Sequence, residues 1–303
     1  MFWLIATLAA AGDGPWALPA GASNVYVGTT YVRFDTVDTL GGPVGLDEGV
    51  ATNGLVGVLS LGLTDQLEAE ASVSAVRSRH LDPASATCTR PGRPDDFCAL
   101  SQGFGPGSLS VKGLLLDEAQ LRPLTVSVSG RLRSSDWVSE ARGRLTALGE
   151  GQTDLGAVLS AGRTATMGDT SWYKVHLDVG YWHRLPLEGP PKVPGDEIVA
   201  RMGSLMAPTG VWAVGPVVDF LLRPSGSDLG QEVDLSSPNG FASLRVGQLK
   251  VGGTAAFVGE RGVTLSVSGY GTAWAWNNPT DSFVVSAGLG WYRPPGGRDS
   301  VGP

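Results

Sequence analysis

The stretch Ser171-Trp-Tyr-Lys-Val-His-Leu-Asp-Val-Gly-Tyr-Trp-His-Arg184 divides its side chains between two solvents. Successive strand residues point to opposite faces. Tyr173, Val175, Leu177, Val179 and Tyr181 therefore share one face, and Trp172, Lys174, His176, Asp178 and Gly180 share the other. The first face is apolar and begins and ends in tyrosine; the second carries ionisable groups that need water. Eight residues at roughly 3.3 Å each, tilted by about 40°, set the two tyrosines about 20 Å apart along a membrane normal, near the height of a transmembrane barrel's apolar band. The pattern predicts a membrane-spanning β-strand.

A half-buried strand of a soluble sandwich also alternates, so the inference needs a second instance. The last strand supplies it: Phe283, Val285, Ala287, Leu289 and Trp291 form a face bounded by aromatics, opposite Val284, Ser286, Gly288 and Gly290. Tyr173, Tyr181, Phe283 and Trp291 are thus the candidate aromatic girdle. Further segments alternate without girdles, with Leu67 to Ala75 opposing Glu68, Glu70, Ser72 and Ser74, and Leu124 to Leu132 opposing Thr125, Ser127, Ser129, Arg131 and Arg133.

Composition agrees with a β-rich chain. Its 44 glycines in 303 residues are about twice the usual ~7% share and lack a collagen period, as tight turns between strands require. Charged residues are few, at 17%, and no uninterrupted apolar run is long enough for a helical span, so only strands are expected to cross a bilayer. A net charge of −7 leaves no basic stripe to replace the counterions around phosphates, which argues against nucleic acid as a partner. Residues 1–15 read, after Met1, Phe-Trp-Leu-Ile-Ala-Thr-Leu-Ala-Ala-Ala and have small residues at Ala9 and Ala11, the expected shape of an export signal, although no Lys or Arg precedes the apolar run. Residues 16–293 are read as the barrel and 294–303 as a disordered tail. Cys88 and Cys98, the two cysteines, fall in one polar, Pro-rich stretch and are expected to form a loop disulfide. Without clustered histidines they predict no closed zinc site, and no metal is assigned.

Alternation and turn residues together predict twelve strands, near 24–37, 52–63, 66–79, 107–116, 122–134, 153–163, 171–184, 196–206, 210–223, 241–254, 262–275 and 282–293. The connections alternate long and short, the last excepted. In an antiparallel meander that places the long ones at one end, as in outer-membrane barrels, whose even strand count leaves both termini at the other end. No water in hydrocarbon can satisfy an open sheet edge, so closure is expected. Pro216, within the ninth strand, predicts a bulge, since proline cannot donate to a ladder. In the tenth strand Leu244 and Val246 share a face with Gln248 and Lys250, which predicts a register slip at a glycine.

Short motifs carry a family likeness. Trp16-Ala-Leu-Pro-Ala-Gly followed by Val25-Tyr-Val-Gly, the turn Gly62-Leu-Thr-Asp-Gln-Leu-Glu, and Gly151-Gln-Thr-Asp-Leu resemble the outer-membrane β-barrel transporter family of the phenol-degradation meta-pathway. The resemblance implies a barrel with a transport role and supplies no catalytic residue.

The inward set is the candidate site: Glu68, Glu70, Arg131, Arg133, Lys174, His176, Asp178, Arg184, Arg201 and Asp219. Both signs occur on neighbouring strands, so these groups either close the lumen as ion pairs or line a path for polar solutes. Glu68 and Glu70 are expected to pair with Arg131 and Arg133. His176 beside Asp178 suggests a catalytic pair, but no serine can be placed next to it from the sequence, and a solvated lumen pair is the preferred reading. His183 is expected at the outer rim. The glycine-rich runs lack a Gly-Lys-Ser/Thr and are read as turns, so no cofactor is expected. The expectation is a closed antiparallel barrel in a bacterial outer membrane, not an enzyme, passing small solutes that include hydrophobic or aromatic compounds. Outer-membrane lipid, lipopolysaccharide and the barrel-assembly machinery are its expected partners. The alternative is a plugged barrel that displays loops for structural or adhesive work.

Overall fold

Every strand of the barrel wall finds two neighbours, because a chain whose alternate side chains seek lipid cannot leave a ladder edge open in hydrocarbon. The computed structural model describes residues 14–89, 91, 95, 97–134, 152–166, 171–185, 195–226, 228–230, 244–259 and 262–297. The strands are β1 (Ser23–Val37), β2 (Val44–Thr64), β3 (Leu67–His80), β4 (Ser101–Phe104), β5 (Gly107–Leu116), β6 (Thr125–Ser134), β7 (Thr153–Thr166), β8 (Trp172–Arg184), β9 (Glu197–Ala207), β10 (Trp212–Arg223), β11 (Val246–Val258), β12 (Val263–Trp276) and β13 (Phe283–Arg293). All thirteen belong to one antiparallel sheet, and β1 pairs with both β2 and β13, closing it. β4 is a four-residue spur on β3, so twelve strands form the barrel wall.

The exterior is the apolar surface that the alternation predicts. Leu59, Leu109, Leu159, Leu177, Leu265 and Leu289 are exposed along it, as are all four girdle candidates in part or in full. Trp291 lies at the end that carries both termini, called here the terminal end, with Tyr173, Trp212 and Phe257; the last two rings meet at 5.1 Å, tilted by 60°. Tyr181, Trp274 and Phe283 ring the opposite, long-loop end, where Phe283 meets Tyr31 at 5.7 Å. Two aromatic rows around a belt of Leu and Val match the outer surface of outer-membrane barrels. This chain is a transmembrane barrel of the bacterial outer membrane.

Three expectations change in detail. β2 begins at Val44, not near 52, because its first turns continue past the apolar band, where neither face needs to be oily. β10 holds one register with β11 straight through Pro216↔Gly253. Its register with β9 is also unshifted on either side of Gly215 and Pro216, where pairing simply lapses, so there is no bulge at the proline. In β11 no slip occurs: Val246, Gln248 and Lys250 all stay buried on the inner face, and the irregularity falls opposite Leu249/Lys250, on β12. A barrel interior tolerates an apolar residue among polar ones, so mixed character on one face does not demand a shift.

Candidate functional site: a lumen filled from both ends

The inner faces of the strands carry hydroxyl and charged groups, and register decides which of them meet. Ser72 and Ser108 are 2.7 Å apart across β3 and β5, Thr52 and Ser78 2.9 Å across β2 and β3, and Thr254 and Ser268 2.8 Å across β11 and β12. Asp178, Arg201, Asp219 and Lys250 are register partners in turn from β8 to β11, a row of alternating sign around a third of the wall. In this row Arg201 Nε lies 3.5 Å from Asp219 and its Nη2 donates to the Tyr270 hydroxyl at 3.3 Å. His176 Nε2 lies 3.6 Å from Asp178. Apolar patches lie among these groups, with Tyr26, Val56 and Val58 in one cluster on β1 and β2, and Val32, Val217, Tyr270 and Val284 in another that adjoins the charged row.

At the long-loop end five charged side chains from five consecutive strands meet. Arg133 gives Nε to Asp154 at 2.6 Å and Nη2 to Glu197. Arg184 approaches Asp154 at 3.6 Å and Glu197 at 3.5 Å, and Arg223 reaches Glu197 at 2.5 Å and the Leu244 carbonyl at 3.2 Å. Gln152 adds a further hydrogen bond to Asp154, and Trp182 lies under the Arg133 guanidinium, 4.2 Å from ring centroid. Glu197 and Arg184 are 1% and 0% exposed, so these ions are desolvated and depend on one another. Beside them Phe34, Leu46, Val50 and Val246 from the wall close over Phe97, Cys98, Leu229 and Leu244 from the loops. Asp228, just past β10, is held there by Arg245 and by Asn277 Nδ2, which donates to it at 2.8 Å. Those hydrogen bonds, with the Arg245 charge, hold the Asp228 carboxyl below the usual carboxylate range against some opposing burial.

The disulfide Cys88–Cys98 forms as expected. His80 joins it, its nearest ligand atom within 4.8 Å of both sulfurs. The sulfurs are committed to each other, and the ring nitrogens of His80 lie 2.7 and 2.8 Å from the carbonyls of Asp82 and Leu46, so the three brace loop and strand.

The terminal end is crossed by the chain's own N-terminal segment, residues 14–22. It leaves the wall at β2, where Gly21 N–H donates to the Gly62 carbonyl at 2.8 Å. Ala20 N–H bonds Asp65, and Leu18 N–H donates to Glu68 Oε2 at 2.8 Å. Lys112 Nζ donates to the Trp16 carbonyl at 3.1 Å while lying 3.4 Å from Glu68. The Trp16 indole N–H donates to Glu118 Oε1 at 3.0 Å, and Lys174 Nζ sits 4.6 Å from its ring centroid. The far end rests on β7 and β8: a Cβ on Gly162 would lie 3.0 Å from the Pro15 ring, and Gly14 abuts His176. Gly62 is required at the near end, since a Cβ there would sit 2.0 Å from the Pro19 carbonyl oxygen.

Of the predicted site residues, the structure brings Arg133 and Arg184 into the loop-end cluster, Glu68 and Lys174 to the segment, and His176, Asp178, Arg201 and Asp219 to the mid-wall. The expected pairing of Glu68 and Glu70 with Arg131 and Arg133 survives only as the charge of Arg131 acting on Glu70 across β5. Glu68 has Lys112, Glu70 accepts from Ser60 Oγ at 3.1 Å, Arg131 Nε donates to Ser129 Oγ at 3.2 Å, and Arg133 has Asp154 and Glu197. β5 separates β3 from β6, and its own Lys112, register partner of Glu68, is nearer than either arginine. His183 is at the exposed rim as expected, 3.2 Å from Asp196. Sequence reasoning missed Asp154, Glu197, Arg223, Lys112, Lys250, Glu118 and Trp16. Hairpin register would have found Asp154, the register partner of Arg133 and of Arg184.

No protein-family model matches the chain, and no curated protein does. Among solved structures the fold is similar to an outer membrane channel from Pseudomonas putida F1, at TM-score 0.64 and 14% identity over 94% of this chain and 99% of that one. It is also similar to the NanC porin, at TM-score 0.50 and 7% identity, over 88% and 98%. At these identities the likeness is one of fold.

Proposed function

We propose that the protein is a passive channel or transporter for small solutes, closed at its terminal end in this state by residues 14–22. The observation that carries the reading is the manner of closure. The segment crosses the lumen as an extended strap on polar contacts to Glu68, Lys112 and Glu118, rather than as part of the sheet, so it can leave without breaking the barrel. Behind it the lumen has a row of both charge signs and patches of Tyr and Val, a lining suited to solutes with an apolar part. That lining, with the motif likeness to phenol-degradation transporters, supports hydrophobic or aromatic compounds among the solutes, and the two neighbours of similar fold are a channel and a porin. The even strand count sets the strapped end on the periplasmic side and the disulfide-braced loop outside. Deleting residues 14–19 tests the reading in planar bilayers: conductance should rise several-fold while heat-modifiable gel mobility stays that of a folded barrel. Unchanged conductance in a folded barrel would overturn it.

The packed loop-end mouth favours a second reading, a scaffold that displays loop 81–106. Absence of conductance together with loss of surface binding on removal of that loop would select it.

A further inference from the structure

The groups that hold Trp16 belong to the barrel, not to the strap. Glu118 follows β5, in a turn capped by Asp117, whose carboxylate accepts from the Ala119 N–H at 2.9 Å. Its carboxylate is fixed independently of Trp16, because the Thr164 N–H donates to it at 2.9 Å. Lys174 and His176 project from the same face of β8, the ammonium 4.6 Å from the indole centroid and the imidazole edge-on at 6.2 Å and 83°. Together they present a fixed hydrogen-bond acceptor at the rim of a planar slot, a cation toward its face and an aromatic edge at its side. An acceptor, a cation and an edge suit a neutral aromatic ring bearing an N–H or O–H donor, since the cation attracts the ring's negative face and the carboxylate takes the donor. Gly14 shows how closely the chain fits around this ring: its φ is +86° and a Cβ there would lie 2.6 Å from the indole.

We propose that this slot is a recognition site for donor-bearing aromatic molecules of indole or phenol type, and that Trp16 fills it as an internal ligand. On the channel reading, from which this follows, a solute that occupies the slot displaces Trp16 and loosens the strap, so the molecule that enters also opens the path. A plain hydrocarbon ring lacks the donor, and a benzoate brings a carboxylate against Glu118; both are poor ligands. The site therefore discriminates by donor and charge, beyond the general preference for apolar solutes that the Tyr and Val patches give.

The test is calorimetric titration of indole, phenol, toluene and benzoate into the full chain in micelles, with protein-free micelles subtracted. The variants are Trp16→Ala and Trp16→Ala/Glu118→Ala, each checked by heat-modifiable mobility. Removing an internal competitor raises apparent affinity by the reciprocal of the fraction of time the site stands free. Trp16→Ala should therefore bind indole at least about tenfold more tightly than wild type, with phenol following and with toluene and benzoate at least about tenfold weaker than indole. Adding Glu118→Ala should abolish the preference for indole over toluene. Trp16→Phe, which keeps a ring but no N–H, serves if Trp16→Ala fails to fold, and should bind indole more tightly than wild type by a few-fold. Equal indole binding by wild type and the Trp16 variants, binding by neither, or equal affinity for toluene and indole overturns the proposal. Indole should also raise the conductance of the wild-type chain. Tight, donor-dependent binding in a protein that conducts nothing even without residues 14–19 would sink the channel reading and leave the ring site standing.

Discussion

Glu197 sits under three guanidinium groups, and replacing it with glutamine isolates what the loop-end cluster contributes. The wild-type cluster has Arg133, Arg184 and Arg223 against Asp154 and Glu197. Glu197→Gln keeps the shape and an acceptor but leaves three cations facing one carboxylate. Two unit charges about 4 Å apart interact by roughly 4 kcal/mol at an effective dielectric near 20, and Glu197 has three such partners, so the gross loss exceeds what is seen net of desolvation. Breaking one side of a buried ion pair costs about 3–5 kcal/mol, because the uncompensated charge stays buried. We expect Glu197→Gln to lower barrel stability by about that much, read as equilibrium urea unfolding in detergent with tryptophan fluorescence. Arg184→Met added to Glu197→Gln removes one surplus cation and should recover part of the loss. A Glu197→Gln variant within about 1 kcal/mol of wild type would refute the reasoning, since it would mean water already screens the cluster as it does surface pairs.

Gly62→Val should push the Pro19 carbonyl off the wall, for overpacking of this kind costs about 1–3 kcal/mol, and single-channel recording should show more frequent openings in an intact barrel. Cys88→Ser/Cys98→Ser should leave the barrel's unfolding nearly unchanged while raising protease cleavage in loop 81–106, because the bridge constrains only that loop. Burial works against ionisation of Glu118, but the Thr164 amide, the Trp16 indole and the Lys174 charge outweigh it, so the carboxyl is held below its ordinary value of 4.5. Of these only the Trp16 indole belongs to the strap, so only its share of the depression is linked to closure; that share is present above the open-state pKa and is lost as pH falls through the depressed value. Conductance should therefore be flat from neutral pH down to about pH 5 and rise only below, and a rise already between pH 7 and 6 would contradict the assignment.

The barrel was legible because lipid and water impose a period of two wherever a strand is in the bilayer, and β8 and β13 display it between aromatic bounds. The same rule explains where legibility ended. Beyond the apolar band β2 continues through Leu46-Asp-Glu-Gly49, where Leu46 packs against loop residues, Asp47 and Glu48 are exposed, and lipid no longer imposes alternation. Pro216 misled in the other direction: its missing N–H interrupts pairing with β9 while the ladder to β11 runs on unshifted. Inward charges were readable as a set, since Lys174, His176 and Asp178 have no other face to occupy, but their partners depend on the stagger between strands. Glu68 thus went to the wrong arginines when its register neighbour Lys112 was one strand away. The strap was invisible as such: Trp16-Ala-Leu-Pro has no period, and its role comes from Gly62, Glu118 and Lys174, which lie 46, 102 and 158 residues along the chain from Trp16.

The account stands on one arrangement, apolar side chains of the strands outside against lipid and polar ones inside. Spin labels placed singly along β8 in lipid bilayers test it most directly, with collision rates measured against oxygen, which concentrates in hydrocarbon, and against a water-soluble nickel chelate. Labels at Val175 and Val179 should collide freely with oxygen and hardly with nickel, and labels at Lys174 and Asp178 should lose the oxygen signal, giving a period of two along the strand. Equal oxygen access at all four positions, or the inverse alternation, would contradict the barrel's placement in the membrane.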